Sequence, residues 1–347
     1  MFNRPTLFVL GAGASSEAGL PVGSDLAGRI STMLDIRFAD GVNNVGSGDM
    51  DLFAHIRHGF RHEANEYLRA GWIIRDGIRL SHSIDDFLDL HSQDARLNLV
   101  GKTAIVKSVL EAERNSKLFY QRQGEDVDLA LLQNTWFVKF MQMLGRGTSR
   151  ENVRTIFDSV TFIVFNYDRC LEQFLLHALQ RLYSIPDVDA SQILSAVRII
   201  HPYGVVGELQ TRTAYEGTSF GSGADLRADY VGLSKKIRTY TEQMTDQKLL
   251  TRIHEEVTKA ECIVFLGFAY HTQNMRLLWP PKGMPHKFVF GTAYGMSDAD
   301  TEVVSHQIAG RFTPNMTSKM REDIIKIESK LTCAGLFDHF ALSLPGT

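Results

Sequence analysis

Cysteine is scarce in this chain. The 347 residues hold three, Cys170, Cys262 and Cys333. They lie far apart, and no pair has metal-ligand or redox spacing, so a disulfide framework is not expected and a reducing cytoplasm is the natural setting. Long apolar runs are also missing. No stretch approaches the roughly 18 apolar residues of a membrane span. The apolar start of MFNRPTLFVLGAGAS is too short for a signal sequence and leads straight into glycines. A strong charge of either sign is missing too: the formal net charge is -3. No basic field draws the whole chain toward nucleic acid. There is no internal repeat and no low-complexity tract. The expectation is a cytoplasmic protein with no membrane partner and no indicated nucleic-acid partner.

What is present is apolar residue in short, well-spaced runs. At 44% hydrophobic, the chain can build one large core or two modest ones. Thr6–Leu10 (TLFVL), Val160–Phe165 (VTFIVF), Val197–Ile200 (VRII), Cys262–Leu266 (CIVFL) and Lys287–Phe290 (KFVF) read as buried strands. Helical patterns follow most of them: about Ser24–Leu34, Arg169–Tyr183 and a polar helix over Leu233–Ala260. A helical pattern also closes the chain. Short apolar strands alternating with helices predict an α/β fold, a Rossmann-like parallel sheet covered on both faces. Gly41–Asp51 is a glycine- and asparagine-rich break. From there to about Gly145 the pattern is helical. The expected organisation is a single domain over 1–347, with a large helical insertion at 40–155 and the rest of the sheet with C-terminal helices over 156–347.

In an open parallel sheet, ligands bind beyond the carboxyl ends of the strands. After the first strand come Gly11, Ala12, Gly13, Ala14 and Ser15. After the second come Asn166, Tyr167 and Asp168; after the third, His201 to Gly204; after the fourth, Gly267 and Phe268. Glycines, an amide, a carboxylate and an imidazole therefore converge on one crevice. Gly11 and Gly13 allow a tight turn and a close backbone approach to a diphosphate. The dehydrogenase fingerprint needs a third glycine or alanine where this chain has Ser16. It also needs an acidic residue ending a second strand, where this chain is helical, so hydride transfer is disfavoured.

These residues carry a resemblance. GAGASSEAGLP (Gly11–Pro21) resembles the sirtuin signature, and it includes Gly19. FNYD (165–168) resembles the family's Asn-x-Asp motif and HPYG (201–204) its His-Gly motif. LGF (266–268) is similar to its late glycine turn on the adenosine side. The four occur in the family's order and cover the sheet-forming half of the chain. The resemblance implies NAD as substrate. It implies Asn166, His201 and Asp168 as catalytic residues, with Gly11 to Ser15, Gly19, Tyr167, Gly267 and Phe268 binding the dinucleotide. In that scheme Asn166 holds water and a ribose hydroxyl, His201 is the general base, and Asp168 accepts a bond from the nicotinamide amide. Ser15 and the amides of Ala12 to Ser15 hold the diphosphate.

Two features set the chain apart from the deacylating sirtuins. It lacks the two Cys-x-x-Cys pairs of their structural zinc, and Val22, Gly23 and Ser24 stand where they carry Asp-Phe-Arg. Both, with the helical insertion, are similar to the sirtuin-like NAD hydrolases of bacterial anti-phage defence. The expected function is an NAD glycohydrolase, without a metal, that depletes NAD. The alternatives are a silent NAD-sensing subunit, or a deacylase or ADP-ribosyltransferase.

Other features take plainer readings. His55, His58 and His62 share a helix face and are expected to be a solvated surface rather than a metal site. Cys170 is expected to pack. Ser219–Gly223 (SFGSG) reads as a loop, either a lid or a surface excursion. An unrestrained NAD hydrolase would starve its own cell, and no sensor domain is recognisable. A homo-oligomer, or a separately encoded activator, is therefore expected to restrain it. Phe87, Leu88, Leu90, Phe137, Phe140 and Met141 are candidates for that interface, with core packing as their plainer role.

Overall fold

The computed structural model describes residues 2–38, 45–59, 63–120, 126–222 and 228–346. Six parallel strands form one sheet. In chain order they are β1 (Thr6–Leu10), β2 (Val160–Val164), β3 (Arg198–Ile200), β4 (Cys262–Leu266), β5 (Phe288–Thr292) and β6 (Ile325–Glu328). Their spatial order is β3-β2-β1-β4-β5-β6, the order of the doubly wound dinucleotide-binding sheet. The first strand lies at the centre, with Leu10 level with Val164 on one side and Leu266 on the other. The order reverses at β1, so the crevice beyond Leu10 is the topological switch point.

Every residue of β1, β2 and β4 is buried, because helices cover both faces. Side chains alternate across the sheet, as a period of two requires. Leu7, Val9, Ile163 and Phe265 join one core, together with Ile30, Val100 and Leu110 from helices Gly23–Met33 and Ala95–Arg114. Phe8, Leu10, Phe162 and Leu266 join the other, with Phe140, Phe174 and Phe337 from helices Trp136–Gly145, Cys170–Tyr183 and Cys333–His339.

Between β1 and β2, the described residues form a run of helices that includes Met50–Gly59, Ala64–Gly77, Ile84–Leu90, Ala95–Arg114 and Trp136–Gly145. A short antiparallel ribbon, Arg37–Phe38 against Val45–Ser47, precedes them. Residues 41–44 of the predicted break, His62 of the histidine triplet and Gly223 of the predicted loop lie outside the described residues. Phe87, Leu88, Phe137, Phe140 and Met141 are core residues, which leaves Leu90, 76% exposed, as the exception among the interface candidates.

Two expectations are corrected. The closing segment is not all helical, since Ile325–Glu328 forms edge strand β6 beside β5. The polar helix expected over Leu233–Ala260 is three helices, Tyr230–Ser234, Tyr240–Thr245 and Gln247–Lys259. Side chains that compete for backbone N–H groups divide it. Thr239 and Glu242 form a reciprocal capping box, and Asp246 accepts from Leu249 N.

Candidate active site

A cavity of about 640 Å³ opens at the carboxyl edge of the sheet. It is lined by Gly11, Ala12, Gly13, Asn166, Gly267 and Phe268 of the predicted residues. The strand ends explain why these meet: the turns after β1, β2 and β4 converge at the switch point. The β1 and β4 turns are pressed together. Gly11 N donates to Leu266 O and Gly13 N to Gly267 O, each at 3.0 Å. A Cβ on Gly11 or Gly13 would run into the Gly267 backbone, and one on Gly267 into Ala14 N. Gly267 also holds φ +56°, a left-handed conformation that side chains resist. Glycine is demanded here by backbone contact itself.

Asn166 is 7% exposed and held by both of its amide hydrogens. Nδ2 donates to Gly11 O (2.9 Å) and to Ser15 Oγ (3.0 Å). The Gly11 carbonyl can only accept, so the nitrogen must face it and the orientation of the amide is settled. With both donors engaged, the group Asn166 offers a ligand is the acceptor Oδ1. Ser15 Oγ in turn donates to Asp168 Oδ1 (3.0 Å), which also accepts from Cys170 N (3.0 Å).

The remaining predicted residues stand behind this surface. Asp168 does not line the cavity. Its carboxylate is tied to Ser15 and to the first turn of helix Cys170–Tyr183, and burial raises its pKa. In this structure the carboxylate faces Ser15 and Cys170 N rather than the cavity into which the expected nicotinamide contact would reach. Ser15 and Ala14 are buried and also off the cavity. Gly13 N and Ala14 N already donate, to Gly267 O and Gly11 O, so the expected cradle of four amides is reduced. Gly19 closes the turn after the short helix Ala12–Ser16 with φ +99°. Tyr167 is buried and donates its hydroxyl to Asp85.

His201 does not line the cavity either. Its Nε2 lies 2.7 Å from Glu172 Oε1 and its Nδ1 3.3 Å from Asn166 O. Burial pushes the imidazole pKa down, but the Glu172 carboxylate more than offsets this and the value ends above the ordinary one. Cys170 is fully buried and its thiol is pushed far up by that burial, in keeping with packing rather than nucleophilic use.

The structure brings further residues to the wall. Ser83, Asp85 and Asp86 enter the cavity wall from the inserted helix Ile84–Leu90. Burial lifts Asp85 to about 6, against the lowering effect of the Tyr167 bond. Glu17 also reaches the wall. It accepts from Trp136 N (2.7 Å) and Ala334 N (2.8 Å), so one carboxylate caps two helices. Asn274 accepts the Tyr203 hydroxyl at Oδ1 (2.6 Å), which leaves its amide hydrogens as donors. Beyond β5, Tyr294 borders the cavity with 73% of its surface exposed, an aromatic face open to stacking. Among the described lining residues there is no lysine or arginine, whereas Glu17, Asp85 and Asp86 are acidic.

No protein-family model matches the chain, and no curated protein matches it.

Proposed function

We propose that this chain binds NAD at the switch-point cavity and hydrolyses its nicotinamide–ribose bond. The observation that carries the reading is Asn166. Its amide is pinned by Gly11 and Ser15 so that an acceptor oxygen stands between two glycine turns at the edge of a dinucleotide-type sheet.

Nicotinamide leaves this bond as a neutral molecule, so the reaction needs no strong acid. It needs a stabilised cationic ribose centre and one positioned water. Asn166 Oδ1 accepts a hydrogen from that water or from a ribose hydroxyl. The carboxylates of Asp85 and Asp86 bias the cavity toward positive charge, which suits a cationic ring in the ground state and a cationic sugar in the transition state. The amides of Asn274 and of Gln273, which also lines the cavity, are donors for the polar groups of the substrate, and Tyr294 is a stacking face for a base. Gly11, Gly13 and Gly267 let the backbone come close to the diphosphate. His201 braces the Asn166 carbonyl in this state. To act as a base it must first leave Glu172. In a cell the activity would deplete NAD, as the resemblance to defence effectors implies.

A second reading, an NAD-sensing subunit without turnover, is favoured by that engagement of His201. One experiment separates the two. Purified protein is incubated with NAD alone, and free nicotinamide and bound NAD are measured. Nicotinamide release supports the hydrolase. Bound NAD without release supports the sensor, and neither binding nor release removes both.

A further inference from the structure

A second cavity, of about 630 Å³, lies against helix Cys170–Tyr183. Its floor is the stripe Gln173, Leu176, His177 and Gln180, one face of that helix at spacings of three and four. Gln173 and His177 are 4% and 6% exposed. Gln173 Nε2 lies 3.4 Å from Leu118 O and 3.3 Å from His177 Nε2, so the atom its carboxamide offers a ligand is the acceptor Oε1.

The walls have a definite chemistry. Phe119, Tyr120, Tyr215 and Phe220 supply aromatic surface, and Arg114 and Arg212 supply guanidinium groups. The Arg114 guanidinium lies 5.5 Å over the Phe119 ring. The two carboxylates on the wall each face a guanidinium: Asp126 meets Arg181, with the His177 ring beside it, and Asp187 meets Arg212. An incoming anion therefore meets no unmatched acid. Aromatic faces take a nucleobase, a carboxamide reads its edge, and guanidinium groups take phosphate.

This cavity is linked to the Asn166–Asp168 turn through Arg169. Ser219 and Gly221 line it. Arg169, the residue after Asp168, donates to Thr218 O and Ser219 O, and pairs with Glu113. Glu113 in turn accepts from Gly221 N (3.1 Å). This ion pair is 1% and 0% exposed at its side chains. Residues 219–222 of the loop read as either a lid or a surface excursion thus line this second cavity, tied to the residue beside the Asp168–Ser15–Asn166 chain.

We propose that the second cavity binds a free mononucleotide, with its base on the aromatic walls and Gln173 and its phosphate on Arg114 and Arg212, and that the occupant acts on the Asn166–Asp168 turn through Arg169. The test is calorimetric titration of the full chain with AMP, GMP, CMP and UMP, each separately. At least one should bind saturably. Arg114→Glu and Tyr215→Ala should each weaken it tenfold or more, while Tyr294→Ala, which removes the exposed stacking face of the first cavity, should leave it unchanged. Tyr215 is 71% exposed, so its variant keeps the fold, which a melting curve verifies. Absence of binding at millimolar nucleotide would overturn the proposal. So would binding lost in Tyr294→Ala and kept in the two cavity variants, since that places the nucleotide in the first cavity. Equal binding of inorganic phosphate would refute the base contacts. Tighter binding of a 5′-phosphorylated oligonucleotide would refute a free nucleotide as the occupant. Amide exchange should slow at residues 166–172 on binding, and an unchanged pattern there would overturn the coupling.

Discussion

His201 and Glu172 are paired, ring Nε2 to carboxylate Oε1 at 2.7 Å, while the other ring nitrogen faces the Asn166 carbonyl. Both partners can accept, and the imidazolium, with a hydrogen on each ring nitrogen, is the form that satisfies both. A raised histidine pKa stabilises the fold fully below the ordinary value and loses that contribution as pH climbs through the folded value. Glu172→Gln should therefore lose stability relative to wild type near pH 6, with the gap closing at higher pH. The check is an NMR titration of His201 in both proteins. Wild type should titrate above the ordinary histidine value and the variant lower, and identical midpoints would remove the pairing from the account.

Asn166 should matter more to turnover than to binding. Asn166→Ala is expected to lower nicotinamide release by about 100-fold or more, the scale of losing a positioned polar group in a transition state. NAD affinity should stay near wild type. Equal losses in affinity and rate would make Asn166 a binding residue only. Asn166→Asp is a sharper probe of the amide orientation. It sets an acceptor against Gly11 O, and should cost about 1–3 kcal/mol in a denaturant melt.

Asp85 carries a pH signature of its own. Burial lifts its carboxyl to about 6. The folded state thus binds a proton that the unfolded state has released, and stability falls as pH rises from the usual carboxylate range toward 6. Asp85→Asn should flatten that part of the stability curve. If Asp85 favours the cationic substrate, the variant should also lose the rise in nicotinamide release across the same interval. A wild-type profile without any change near pH 6 would count against this role.

Gly267→Ala tests the contact between the two turns. The left-handed backbone and the neighbouring Ala14 amide leave no room for a methyl group. A residue forced into such a conformation costs about 1–3 kcal/mol. The variant should melt at a lower temperature and bind NAD more weakly, because the Gly11–Gly13 turn must move. Alanine at exposed Gly147, whose added Cβ meets nothing within 4 Å but whose φ is +81°, is the control for backbone strain without contact. Equal effects at the two positions would remove the contact argument.

Much of the fold was legible because the central strands have no polar face. TLFVL, VTFIV and CIVFL are buried on both sides, and such runs read as parallel strands wherever they stand. IKIE was not legible. It is a short edge strand with a single buried residue, and it follows helix Ser318–Ile324 without a break. In the site, the glycine turns and Asn166 were visible because they follow strands directly. Asp85 and Asp86 were not. On a helix capped by Ser83, two acids in the first turn look like ordinary dipole complements. Only the tertiary fold brings them beside Asn166. The Glu172 partner of His201 was hidden for the same reason, on a helix whose pattern shows only packing.

The central position of β1 has a consequence in time. Its two neighbours are β2 and β4, and Leu266, which pairs with Leu10, comes late in the chain. At a synthesis rate of about 5–20 residues per second, the first strand leaves the ribosome tens of seconds before its second partner exists. Throughout that interval at least one of its edges has no strand to pair with, and the Gly11–Gly13 turn lacks the Gly267 backbone it packs against. On the proposed function, each newly made copy therefore lacks its NAD cavity until Gly267 and the lining residues beyond it have emerged, so a nascent chain stalled before that point would leave the surrounding NAD untouched.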